Sequence, residues 1–151
     1  MEGMYQALLP IHNVLRWVVI VAAAVAVAGA WHGLFKGREF GKGDRLRGVA
    51  YVASMHTQLL LGLTLYVNSP LVRAAMDDVG AAMGVRGMRF FLVEHTFLMI
   101  LAVIVVQAGS VLSKRADDDR KKHKRAAIFY TLGLVLILGG IPWFRPMFPG
   151  L

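Results

Sequence analysis

Long apolar runs alternate with short charged ones along this chain, and the apolar runs have membrane-crossing length. A hydrocarbon core requires about 20 consecutive apolar residues when it is crossed as an α-helix. Residues 8–35, 48–68, 89–113 and 126–144 each meet that requirement. The pattern predicts an all-α integral membrane fold, an up-down four-helix transmembrane bundle forming one domain over residues 1–151. The first run is too long for a signal-peptide core, has no basic residue ahead of it and is followed by Lys36 and Arg38, so it is expected to be retained.

The segment 69–88 differs in kind. Ser69-Pro70 stops the second run, and Leu71, Val72, Ala75, Met76, Val79 and Met83 then recur at helical spacing. Arg73, Asp77 and Asp78 fall on the other side. This pattern predicts a short amphipathic helix lying along the membrane interface. Pro142, Pro146 and Pro149 are expected to end the last helix and stiffen the tail.

Composition agrees with the membrane class. Hydrophobic residues make up 57% of the 151 and charged residues 17%, against about a quarter charged in soluble domains. The net charge of +8 is not spread as in a nucleic-acid binder. Loop 36–47 carries five Lys or Arg and loop 114–125 carries seven, together 12 of 17. Arg16, Arg73, Arg86, Arg89 and Arg145 lie toward the opposite ends of the runs. The positive-inside bias therefore puts both basic loops in the cytoplasm and both termini on the other side of the membrane. Trp17, Trp31 and Trp143 suit an interfacial aromatic belt. There is no cysteine, which excludes disulfides, thiolate metal sites and CxxCH haem attachment.

Ionisable side chains inside spans are costly and point to function. Here they are His12, Arg16, His32, His56, Glu94 and His95, with uncharged Gln58 and Gln107. No span has an acidic pair or a broken midsection, so a secondary transporter is not indicated. Histidines on separate helices suit a haem iron held between them. At about 1.5 Å per residue, His95 lies roughly 28 Å from Lys114, His12 roughly 36 Å from Lys36 and His56 about 14 Å from Arg47. His12 and His95 thus share the outer half, on alternate spans that are diagonal in an up-down bundle. Arg16, one turn on from His12, is placed to pair with a haem propionate.

His56 leaves several readings open. It ligates a deeper cofactor, hydrogen-bonds a quinone, completes a three-histidine metal site with His12 and His95, or bonds structurally to Gln107 or Tyr130. Glu94 neutralises Arg89 or Arg16, or accepts a proton. His32 reads as interfacial and His123 as solvated in a basic turn, while Met55 and Met99 read as filling more than as axial ligands. Gly62, Gly109, Ser110, Gly133 and Gly139 suit close helix approach, within a subunit or between copies in a homo-oligomer.

Five stretches carry a resemblance: HNVLRW (12–17), MHTQLLLGLTLYVNSP (55–70), RFFLVEH (89–95), HKRAAIFY (123–130) and GIPW (140–143). Together they resemble a group of small four-span bacterial membrane proteins, of the Bacteroidota type, labelled as cytochrome B. A histidine near the start of alternate spans is also similar in architecture to one half of haem A synthase, without the paired glutamates of its first span. The resemblance implies a b-type cytochrome, and with the intramembrane histidines the leading expectation is a haem b membrane protein exchanging electrons between a quinone pool and a redox partner protein. The residues alone leave two other classes open: a non-catalytic subunit or assembly factor of a larger membrane complex, and a metal-binding or permeation protein using the same histidines without porphyrin.

Overall fold

The computed structural model describes residues 2–145, so Pro146 and Pro149 lie outside the described residues. Four long helices dominate: α1 (Glu2–Lys36), α2 (Lys42–Asn68), α6 (His95–Lys114) and α7 (Asp119–Gly140). Between α2 and α6 stand the short α3 (Pro70–Asp77), α4 (Val79–Gly84) and α5 (Arg86–Arg89), then a π-helical turn, Phe90–Glu94, leading directly into α6. No strand occurs among the described residues. α1 packs on α2 and α7, and α6 packs on α7 and α2, so α1 and α6 face each other diagonally.

Each long helix turns one seam inward, with alternating steps of three and four. On α1 it runs His12, Arg16, Val19, Ala23, Ala26, Ala30, Gly33, and on α2 Asp44, Gly48, Tyr51, Met55, Gln58, Gly62, Leu65. α6 contributes His95, Met99, Ala102, Val106, Gly109 and Ser113, and α7 contributes His123, Ala126, Tyr130, Gly133, Ile137 and Gly140. That period is the one of gently supercoiled bundles. Small residues dominate the α1 seam, which lets the backbones approach closely.

The outward faces are apolar on all four helices: Val14, Val18, Val21 and Val25 on α1, Leu60 and Val67 on α2, Phe97 and Ile104 on α6, Leu132 and Val135 on α7. An all-round apolar helix belongs in lipid or in a larger core. Three helical stretches are long and apolar enough to cross a bilayer, Gly3–Lys36, Lys42–Asn68 and Arg86–Lys114. α7 falls outside this set because its first two turns are charged. Its helix stops at Gly140, short of the end of the apolar run at residue 144 and in line with the stop expected at Pro142.

The helix ends follow local chemistry. Gly37, at φ 61°, takes the left-handed position that ends α1, and the Arg38 N–H reaches back to the Gly33 carbonyl at 3.1 Å. Asp44 opens α2 by accepting the Gly41 N–H at 3.1 Å, and its carboxylate also accepts Arg47 at 2.7 Å and Arg38 at 3.3 Å. Asp118 caps α7 through the Lys121 N–H at 2.8 Å, a donor that holds its carboxyl below the ordinary value. The expected single amphipathic helix is instead two, α3 and α4. Asp78 leaves the helix to accept the Ala81 N–H at 2.9 Å as an N-cap. Met76 and Val79 face outward, while Val72, Ala75 and Ala82 pack inward.

Four of the five small residues expected at close helix contacts serve inside the bundle. A Cβ on Gly62 would meet the His12 ring, on Gly109 the Phe129 side chain, and on Gly133 Val106 and Tyr51. Ser110 is buried, and only Gly139 opens onto free space.

Candidate cofactor site

His12 and His95 meet toward the end of the bundle away from the two basic loops, their ring centres 6.4 Å apart and their planes 73° to one another. They line one cavity of about 380 Å³ with Arg16, Met55, Gln58, Gly62, Tyr66, Met99 and Arg145. That volume lies within the range of roughly 300–1,000 Å³ common for cofactor and small-molecule sites.

Each imidazole has its own support. The π-helical turn inserts an extra residue before His95, whose N–H bonds back five residues to the Phe90 carbonyl. The Thr96 hydroxyl donates to the Phe91 carbonyl at 3.2 Å across the same turn. Such turns re-aim side chains and concentrate at functional sites. The Tyr66 hydroxyl pins the turn from α2 through the Leu92 carbonyl at 3.1 Å. The His95 Nδ1–H donates to the Gly140 carbonyl at 2.7 Å, which leaves Nε2 as the unprotonated nitrogen. This is the tautomer and the outer partner expected of a metal-ligating histidine.

His12 is held from α2. Gln58 Nε2 donates to the His12 carbonyl at 2.9 Å, and Gly62, one turn further, leaves space for the ring. Its Cβ would lie 3.3 Å from the His12 Cε1. On the other side Gly140 opens room beside Met99 and Leu98. Arg16 is buried below His12, over the Trp17 ring at 5.6 Å. Arg145 lies over Phe91 at 4.4 Å and lines the same cavity.

The distance between the two rings leaves room for one metal ion between them. An imidazole nitrogen lies about 2 Å from a bound transition metal, and the ring centre about 1 Å further. Two imidazoles on opposite sides of one iron therefore hold their centres about 6 to 6.5 Å apart, as His12 and His95 do. The apolar walls, the two glycine gaps and the buried cation suit a flat, largely apolar group bearing carboxylates.

The remaining sequence candidates lie elsewhere. His56 is exposed on the outer face of α2, its Nδ1–H donating to the Val52 carbonyl at 2.8 Å. The α2 seam puts its neighbour Met55 inward instead. His56 thus joins neither His12 and His95 nor Gln107 and Tyr130, and no cluster of three metal-binding side chains occurs among the described residues. Glu94 pairs with Arg89 at 2.6 Å, both partly exposed, and not with Arg16. His32 is exposed. His123 is not solvated as expected: it is 0% exposed, packed against Gly33 and edge-on to Phe40 at 5.1 Å. The basic turn is solvated, but the α7 seam carries this one residue inward.

Gln58 and Arg145 were not singled out by the sequence as site residues. Gln58 was legible through its place on the three-four seam of α2, which excludes His56. Arg145 follows Pro142 in an irregular segment, where no periodicity signals its direction. No family model, curated protein or solved structure matches this chain.

Proposed function

We propose that this chain is a b-type haem protein of the bacterial cytoplasmic membrane, exchanging electrons between a quinone pool and a second carrier. The observation that carries the reading is the His12–His95 pair, 6.4 Å between ring centres and facing one cavity from diagonal helices. When bound, haem supplies one-electron chemistry at its iron. His12 and His95 would hold it, His95 kept in the ligating tautomer by the Gly140 carbonyl. Arg16 and Arg145 supply positive charge for its carboxylates. The apolar seams exclude water and lower the dielectric.

The reading includes four spans. Ile128, Leu132, Val135 and Leu138 turn outward on α7 as similar residues do on the other three helices, which supports lipid around it too. Both basic loops then face the cytoplasm. Reporter fusions in loops 36–47 and 114–125 are expected to read cytoplasm, and a fusion within 69–88 the opposite side. A cytoplasmic reading from 69–88 ends this orientation.

The absorbance spectrum of protein purified with ample haem tests the function. A Soret band with sharp α and β bands on reduction is expected. An empty spectrum from a folded, monodisperse protein would replace the cytochrome reading with a scaffold subunit. A bound zinc or copper at the same histidines would replace it with a metal protein.

A further inference from the structure

The two imidazoles of the site are supported unequally. The Nδ1–H of His95 has an acceptor in the Gly140 carbonyl. The Nδ1 of His12 is buried and has no hydrogen-bond partner. A histidine that ligates through Nε2 carries its proton on Nδ1, and that proton almost always meets a carboxylate, a carbonyl or water. Left unmet in an apolar wall, it costs the desolvation of a donor.

One side chain on the facing helix has the complementary vacancy. Gln58 uses its amide N–H to bond the His12 carbonyl at 2.9 Å. Because a carbonyl can only accept, the nitrogen of that amide is identified by chemistry, and the other atom is Oε1. This oxygen is also buried and without a partner. An orphaned acceptor and an orphaned ring nitrogen thus sit on two residues already joined across α1 and α2, in the wall of one cavity. Gly62, one turn along the same α2 face, keeps the space beside the ring open.

We infer that Gln58 is the positioning residue of His12: its Oε1 accepts the Nδ1–H when His12 ligates through Nε2, fixing the tautomer and tuning the basicity of that ligand. The inference rests on the haem reading above. It makes the two axial ligands alike in kind, each with Nδ1–H donating to a carbonyl oxygen, Gly140 on one side and Gln58 on the other.

The test uses the full chain loaded with haem, as wild type, Gln58→Glu and Gln58→Leu, read by midpoint potential at pH 8 and by the rate of haem loss to a soluble scavenger. Both replacements remove the N–H that holds the His12 carbonyl, so the loss of that contact alone moves both variants the same way; a carboxylate also lowers the potential by its charge, so the rise with uncharged leucine carries the test. Acceptance by Oε1 moves them apart. Glutamate offers a stronger acceptor, makes His12 more basic and favours ferric iron, so the potential falls. Leucine offers none, so the potential rises and haem loss accelerates about ten- to a hundredfold. Shifts of the same sign, or no shift with haem retained, overturn the role of Gln58 and leave the haem reading standing. If Gln58→Leu does not fold, Gln58→Ala, which is also uncharged and without an acceptor, takes its place, and an unchanged or lowered potential overturns the role. A wild type that takes up no haem overturns both readings.

Discussion

His12→Ala and His95→Ala proteins, each purified with ample haem, are expected to lose the low-spin haem spectrum. Either change leaves an iron one imidazole in an apolar cavity, and no third metal-binding side chain stands by among the described residues. The methionine sulfurs of Met55 and Met99 are weak substitutes on helices already packed. His95→Ala has a second effect, because it strands the Gly140 carbonyl that now accepts the imidazole N–H. His56→Ala and His32→Ala are the controls, since both side chains are exposed and outside the cavity. Their spectra should match wild type. A His56→Ala protein without haem, beside a His12→Ala protein that keeps it, would show that the wrong pair had been assigned.

The second large effect is on assembly of the bundle. Gly133→Leu is expected to unfold the protein well below the wild-type melting temperature or to prevent its accumulation. Even the first carbon of a side chain there would collide with Val106 and approach the Tyr51 hydroxyl at 3.0 Å. Val106 and Tyr51 are both 0% exposed, so neither has room to retreat. Overpacking of this kind costs about 1–3 kcal/mol, and more where the backbone must move. Gly139→Leu provides the contrast, because nothing lies within 4 Å of the added carbon. Thermal unfolding in detergent, followed by size-exclusion, compares the two. Equal loss at both positions would contradict the packing described for α6 and α7.

Much of this arrangement was legible in the chain itself. The apolar runs marked the four long helices because hydrocarbon and helix geometry jointly demand long uncharged segments. The similar depths of His12 and His95 followed from counting residues between them and the basic anchors. The count left open a gap of about 8 Å by the rise per residue, whereas the two ring centres lie 6.4 Å apart.

Direction was harder to read than depth. In an all-round apolar helix the hydrophobic pattern has almost no amplitude, so it does not say which side faces inward. The small-residue seam does: Ala23, Ala26 and Ala30 lead back along α1 to Arg16 and His12, and Gly48, Tyr51 and Met55 lead along α2 to Gln58 and Gly62. On that seam His56 falls outside, and His123, continuing α7 from Ala126, falls inside. The π-helical turn at Phe90–Glu94 carries no plain sequence signal. Asp78 was visible as an acid on a polar face, yet its N-capping role broke the helix it was assigned to.

The most direct measurement is the low-temperature electron paramagnetic resonance spectrum of the ferric wild-type protein. If the two imidazoles held an iron with their planes at the 73° seen here, the iron orbitals that overlap them would lie close in energy. The account predicts a single, strongly anisotropic low-spin signal of bis-histidine type, absent from His12→Ala and from His95→Ala. A high-spin signal, a low-spin signal surviving either substitution, or no iron signal at all would contradict it.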